Sequence, residues 1–357
     1  MPYIEALERE LELRTHLDDK SPSQLWGRDL GRGSIYVGGG TPSQLTGEAL
    51  HRLFSFVCQH ITLAPDSEVT IEANPDDVTP QWVSQLKETP VNRISMGVQS
   101  FQDSTLRLLR RRHSAQQAIE AVELLHKAGY QNLSLDLIYG LPGQTLEQFK
   151  EDVHKALSLG ITHLSAYALQ FEQGTPLYSM MERGEILEAD EQLSLDCYNS
   201  LIDITMEAGM EHYEISNFAM PGFRSRHNSS YWNDSPYIGL GAGAHSYNPA
   251  TATRSANCDN IKEYIERISK GELPSTEEHL TEEERYDERV MLSLRTAEGL
   301  SLPALRREFG QQRLDYCTSM AQTHISNGVL RKTADEALCL TRRGLFVSDC
   351  IIRDLML

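Results

Sequence analysis

Glu72, Gln99 and Asp136 each stand at or near the end of a short apolar run, and so does the glycine triplet Gly38-Gly39-Gly40. A carboxylate or amide in that position accepts hydrogen bonds from ribose hydroxyls or from an ammonium group. Three consecutive glycines remove side chains and permit positive φ, so a ligand can lie against bare backbone N–H and C=O groups. Each polar residue alone is a plausible cap on its own strand. Four neighbouring strands that all bring polar groups to one rim are far harder to explain by capping, because packing alone would fill that rim with apolar side chains. Arg110, Arg111 and Arg112 follow Gln99. We expect them in a short helical stretch, as a solvated charge run or with one guanidinium gripping a carboxylate through two parallel bonds. A second cluster holds His227 and His245 with Tyr231 and Trp232 beside the first histidine. That mixture suits a flat, partly apolar ligand such as a porphyrin, with imidazole as an axial ligand; the plainer alternative is a histidine satisfied by local hydrogen bonds.

The elements that must position these groups are legible as alternating strand and helix signals. Strands are expected at Ser34–Gly38, Val69–Glu72, Arg93–Gly97, Leu133–Asp136 and His163–Tyr167, with Tyr213–Ser216 as a sixth. Between them, Ser114-Ala-Gln-Gln117 and Thr145-Leu-Glu-Gln148 read as capping boxes that open helices, with Gly129 and Gly160 as stops. A further helix spans roughly Asp190 to Ala208, and Pro2 opens one with Ile4, Leu7 and Leu11 on a shared face. Strand and helix at this spacing mean parallel β/α units. Six strands are too few for a closed eight-stranded barrel, so the fold class is α/β with an open partial barrel. From Pro221 to Pro249 the text turns to Gly, Asn, His and aromatics, a loop composition. After Thr281 it is helical again. A small hairpin is expected from Val329–Arg331 and Leu338–Leu340, and a closing helix from about Thr341. This C-terminal part has a winged-helix-like order, read as a packing domain because no basic patch accompanies it. The organisation is therefore 1–220 as barrel, 221–280 as connecting region and 281–357 as helical domain.

Composition narrows the classes. With 357 residues and a formal charge of −18, the chain's field repels phosphate backbones, so nucleic acid is not expected as a partner. No run of eighteen apolar residues occurs and no transmembrane segment is expected, which makes a cytoplasmic location the default. The six cysteines (Cys58, Cys197, Cys258, Cys317, Cys339 and Cys350) lie more than ten residues apart, so the chain contains no metal-binding cysteine run.

At GGGTPSQL, IEANPDDVT, NRISMGVQSF, LRLLRRRH, LDLIYGLPGQT, YEISNFA, HNSSYW and GLGAGAHS the sequence resembles the radical-SAM superfamily. Within it, the chain is similar to oxygen-independent coproporphyrinogen III oxidases and most resembles the HemW-type heme chaperones. The resemblance implies a partial (β/α)6 barrel, missing its first strand, that binds S-adenosylmethionine at its strand ends. Gly39, Gly40 and Thr41 would line the methionine end of that ligand, Glu72, Gln99, Arg111 and Asp136 would bind the rest, and His227 would contact heme. The arginine register departs from the family, which has Gly-Arg, one residue, then His where this chain has Arg111-Arg112-His113. The family's 4Fe-4S cluster needs three cysteines in CxxxCxxC, and the sequence contains no such motif. We expect Met1 to be an internal methionine of a longer protein, since the S-adenosylmethionine rim is intact; the alternative is a complete chain that has lost its cluster. The implied function is binding heme and handing it to an acceptor protein. The alternatives are radical decarboxylation of a porphyrinogen, which would make the chain an enzyme, and cluster-free heme binding.

Overall fold

The computed structural model describes residues 2–17 and 33–357. A seven-stranded sheet runs in the order β1-β2-β3-β4-β5-β7-β6. Its strands are β1 Ser34–Val37, β2 Glu68–Ala73, β3 Arg93–Gln99, β4 Asn132–Tyr139, β5 His163–Ala168, β6 Glu211–Glu214 and β7 Asn217–Ala219. Strands β2, β3, β4 and β5 run parallel to one another, and helices intervene between them, as a β/α chain requires. The expected sixth parallel strand is corrected. Tyr213–Ser216 straddles the end of β6 and a tight turn, and β7 joins β5 in antiparallel fashion, with β6 antiparallel outside it. A hairpin this short cannot make a parallel crossover, so it closes the sheet's far side instead.

Within this sheet the period of two sorts side chains cleanly. Val69, Ile71, Ile94, Met96, Val98, Leu133, Leu135, Leu137 and Leu164 share one side and are buried. Helices Leu146–Ser158 and Glu191–Glu207 pack on β4, and each of them buries an apolar stripe of its own. The other side carries Thr70, Glu72, Arg93, Ser95, Ser134, Asp136, His163 and Ser165. A parallel sheet buried on both faces ordinarily reads as continuous apolar runs; here one face is reserved for polar groups. The expected capping boxes are present. Ser114 Oγ accepts from Gln117 N–H at 3.3 Å while Gln117 Oε1 accepts from Ser114 N–H at 2.8 Å, and Thr145 with Gln148 repeats the exchange.

The chain divides into two units. One comprises Tyr36–Leu45 and Val69–Ser225; the other gathers the described residues within Met1–Ile35 with Thr46–Glu68 and Arg226–Leu357. In the second unit, helix Pro2–Leu17 packs on Ile261–Ser269 and on Gly47–His60. Glu10 on that helix is fully buried, and its oxygens accept from Tyr264 Oη at 2.6 Å, Asn257 Nδ2 at 2.8 Å, Gly241 N–H at 2.8 Å and Arg14 Nε at 2.9 Å. Four donors, one of them charged, are what a buried carboxylate needs. The Pro221–Pro249 segment is not all loop. Arg226–Trp232 is a helix, and β8 His245–Asn248 pairs with β9 Thr253–Asn257, which pairs with β10 Ser275–His279.

The C-terminal residues build their own core from Tyr286, Val290, Leu294, Leu305, Phe309, Ile351 and Leu355. Its sheet has the order β11-β13-β12, with β11 Leu300–Ser301, β12 Leu330–Lys332 and β13 Ala337–Leu340. The expected hairpin is β12 with β13, turned at Glu336 with φ 58°; β11 is an addition. The closing helix is split into Arg342–Leu345 and Ser348–Leu355. No described helix is long and apolar enough to cross a membrane.

Candidate functional site

The C-terminal ends of β1 to β4 bring most of the expected residues together within the Tyr36–Ser225 unit. Tyr36 Oη donates to Glu72 Oε1 at 2.7 Å and Gly39 N–H donates to Glu72 Oε2 at 3.1 Å, so one carboxylate ties the glycine turn to the next strand. Burial, and then the charge of Glu72, raise the Tyr36 phenol well above its ordinary value. A Cβ at Gly38 would lie 2.9 Å from Glu72 Oε1, and closer still to the Tyr36 ring. Gly39 and Gly40 take φ of 75° and 61°, and a Cβ on either would meet nothing within 4 Å. The first glycine makes room for Glu72; the next two make the turn and leave its backbone bare. Thr41 follows as the residue before the short turn Pro42–Gln44, its carbonyl accepting from Gln44 N–H at 3.1 Å.

Gln99 closes β3 in an unusual conformation. The pairing with β4 slips between Met96 and Gln99, and Gln99 has φ 70°. For a residue with a Cβ this costs on the order of 1 kcal/mol or more, and such strain gathers at binding sites. A Cβ at Gly97 would sit 2.9 Å from Gln99 Nε2 and 3.1 Å from Arg111 Nη2, so Gly97 is the space these two side chains occupy. Arg111 Nη2 donates to Gly97 O at 2.6 Å and to Asn74 Oδ1 at 2.7 Å, spanning the ends of β3 and β2. The helical stretch expected for the three arginines is corrected. Helix Asp103–Leu108 ends before them, Arg110 turns the chain with φ 53°, and Arg112 forms an exposed pair with Asp76 at 2.9 Å.

Asp136 on β4 stands opposite Ser165 on β5. Loss of hydration pushes its carboxyl up to about 6, partly offset by the Ser165 hydrogen bond and by the charge of Arg93, while Glu72 pushes the same way as dehydration. Arg93 itself is 1% exposed, and its Nε has no hydrogen-bond partner. A buried guanidinium with an unpaired donor is rare; here its positive charge favours the ionised form of Asp136. The sequence reading missed Arg93, Tyr36, Asn74 and Ser165. A signal was present: Arg93, Ser95 and Gly97 share one side of β3, and Tyr36 stands two residues before Gly38.

Two carboxylates, an amide, a guanidinium and bare glycine backbone suit a small, polyhydroxylated ligand that carries positive charge. S-adenosylmethionine has those features, and the donor set fits it. The cluster is another matter. Cys197, Cys317 and Cys339 are buried and Cys58 and Cys350 exposed, and among the described residues no group of three or more His, Cys, Asp or Glu is arranged to hold a metal ion. Burial pushes the Cys197 and Cys317 thiols up to about 11, away from the thiolate a cluster needs. These residues do not fit a 4Fe-4S cluster.

His227 belongs to the other unit. It lies on helix Arg226–Trp232, whose first two N–H groups, Arg226 and His227, donate to the Glu68 oxygens at 3.1 Å each. Its Nδ1 is 3.2 Å from Ser34 Oγ and its Nε2 is 2.8 Å from Tyr231 Oη. The rings of His227 and Tyr231 meet edge to face at 5.0 Å, and Tyr237 meets Tyr231 the same way at 5.0 Å. His245 begins β8 and is exposed.

Residues 25–156 match the radical SAM superfamily and residues 280–347 the HemN C-terminal domain. The chain is 34% identical over 349 residues to the heme chaperone HemW of Bacillus subtilis, covering 97% of this chain and 89% of that protein. It is 38% identical over 276 residues to the heme chaperone HemW of Lactococcus lactis, covering 77% and 72%. The solved structure of coproporphyrinogen III oxidase from Escherichia coli superposes with a TM-score of 0.80 at 20% identity, over 99% of this chain and 82% of that one, which speaks to the fold. With both domain matches and a relative 34% identical over almost the whole chain, the chain belongs to the HemW-type heme-chaperone family of the radical SAM superfamily.

Proposed function

We propose that this chain binds heme and passes it to an acceptor protein, with S-adenosylmethionine held at the strand ends of the barrel. The observation that carries this reading is the 34% identity, over 97% of the chain, to a protein named a heme chaperone. Gly39, Gly40 and Thr41 would offer backbone to the methionine end of S-adenosylmethionine; Glu72, Gln99, Arg111 and Asp136 would hold the rest. Bound, that molecule supplies a sulfonium whose charge the two carboxylates balance. The charge of Arg93 partly offsets the upward push on Asp136, and Tyr36 and Asn74 hold Glu72 and Arg111 in place. His227 would contact the heme. We place the protein in the cytoplasm, a setting that suits its six free thiols.

The test is ferric heme added to the purified chain, followed by transfer to an apo-hemoprotein, alongside calorimetric titration with S-adenosylmethionine. Saturable binding of both, and movement of heme to the acceptor, supports the proposal. Decarboxylation of coproporphyrinogen III under reducing conditions would replace it with the oxidase reading. A second reading is cluster-free heme binding, to which the burial of Cys197, Cys317 and Cys339 is suited; it requires that S-adenosylmethionine leave heme affinity unchanged.

A further inference from the structure

Helix Arg226–Trp232 has only seven residues, and Asn228, Ser229 and Ser230 fill its middle. Two turns of such residues are marginal in water by themselves, because the first turn fixes several dihedrals for one hydrogen bond. The helix is therefore held by its ends. Its start rests on Glu68. Beyond its last residue the chain turns at Asp234, whose φ of 55° an aspartate tolerates better than most residues. The Asp234 carboxylate accepts from Tyr247 Oη at 2.6 Å and from Arg289 Nη2 at 3.0 Å. Arg289 stands on helix Glu282–Leu294, which lies against helix Arg226–Trp232. Its guanidinium is also held by Glu308 at 3.0 Å, and Arg285 donates to Glu308 at 3.2 Å. Just past the end of helix Glu282–Leu294, Arg295 lies over the Trp232 ring, 5.2 Å from its centroid.

On the heme-binding reading above, we propose that Asp234 and Arg289 are positioning residues for the heme contact at His227, so that the C-terminal region sets heme affinity through the far end of the helix. The two side chains are 26% and 24% exposed, so water and salt screen the pair less than a fully exposed one. One carboxylate also gathers two elements, β8 and helix Glu282–Leu294, at the point where the short helix ends. Loss of Arg289 leaves Asp234 and Glu308 without the cation they share, and like charges then push the turn away from the C-terminal region. An open helix does not present His227 in one fixed place. Apparent affinity falls in proportion to the fraction of molecules in which the helix is formed.

The experiment combines ferric-heme titration with hydrogen exchange of the helix amides, both on the full chain. Arg289→Met keeps the reach of the side chain and removes its charge. It should weaken heme binding about tenfold, within the range of couplings carried through packed side chains. It should also open the amides of residues 230–232 to exchange, with added heme restoring their protection. Amides of Leu305 and Ile351 in the C-terminal core should stay protected. Asp234→Asn suits the left-handed turn and keeps an acceptor for Tyr247. It should match Arg289→Met, and the double variant should be no worse than either. Additive losses would show that the residues do not act as a pair, and would overturn the proposal. So would helix amides that stay protected in Arg289→Met, or protection lost with heme affinity unchanged. Arg313→Ala removes another ion pair of the same region, with Glu283, and should leave heme binding as it is; an equal loss there means general weakening and overturns the assignment. A folded wild-type chain that binds no heme overturns the heme reading and this role with it. Helix amides loosened by Arg289→Met in that case would mark the failure as one of ligand rather than of anchor.

Discussion

The strand-end rim and helix Arg226–Trp232 present polar groups by different means. On the rim, each group comes from a separate strand, and the sheet's pairing sets its place: Glu72 opposite Ser95, Asp136 opposite Ser165 and Gln99 opposite Leu137. On the helix, His227 and Tyr231 come from one turn of backbone and hold each other directly. The rim therefore depends on long-range packing, and a disturbance at one strand end reaches groups far away in sequence. The helix pair depends on seven residues and the Glu68 carboxylate that anchors their first N–H groups. One arrangement is rigid because many elements agree; the other because a few side chains are mutually bonded.

The sharpest way to break this comparison is Gly97→Val. The added Cβ would lie within 2.9 Å of Gln99 and 3.1 Å of Arg111, so S-adenosylmethionine binding should weaken about a hundredfold, the effect of displacing positioned groups by about 1 Å. Heme titration of the same variant should be unchanged; a parallel loss would mean the two regions are not independent. Next comes pH. The Asp136 carboxyl sits at about 6 in the folded chain, above its unfolded value of roughly 3.9. Its contribution to stability is therefore fully present below about pH 4 and is lost as pH rises through about 6. A cationic ligand favours the carboxylate, so S-adenosylmethionine affinity should climb about tenfold between roughly pH 5 and 7. Calorimetry across that range reads the effect, and Asp136→Asn should flatten it. Replacing Arg93 with Met should move the midpoint upward, because its charge now opposes the upward shift.

Smaller effects sharpen the helix side. Glu68→Gln keeps the size but removes the charge that accepts from Arg226 and His227, and urea denaturation should report a loss of about 1 kcal/mol. At the bottom of the scale, Arg112→Ala breaks ion pairs with Asp76 and Asp77 that are made by an exposed guanidinium. Stability should change by no more than about 0.5 kcal/mol and ligand affinity not at all, whereas Arg111→Ala should cost affinity. Equal effects from the two arginines would contradict the different places the turn gives them.

The first four barrel strands were legible because each is a short β-branched or apolar run cut off by Gly, Asn or Pro, and the helices between them because Ser114 and Thr145 carry complete capping boxes. Glu72, Gln99 and Asp136 stood out as polar residues where apolar ones would pack. What failed has a common cause. The β6–β7 turn at Ile215 and Ser216 contains no Gly or Pro, so Tyr213–Ser216 reads as one strand. Helix Arg226–Trp232 is rich in Asn and Ser, poor helix formers, and owes its start to Glu68, distant in sequence. Arg93 looked like the polar opening of a strand; its role appears only when β4 places Asp136 in its field. Local text encodes local structure, and groups recruited across the fold leave little trace in it.

Gln99 carries a consequence for how such a chain would change under selection. Its backbone, at φ 70°, is one that glycine adopts freely and glutamine does not. A library screened for heat resistance alone should accumulate Gln99→Gly, gaining stability by relieving the turn while discarding the amide the turn exists to aim. Variants recovered that way would be tougher proteins with a blunter ligand rim, and the position would report which of the two pressures a lineage had experienced.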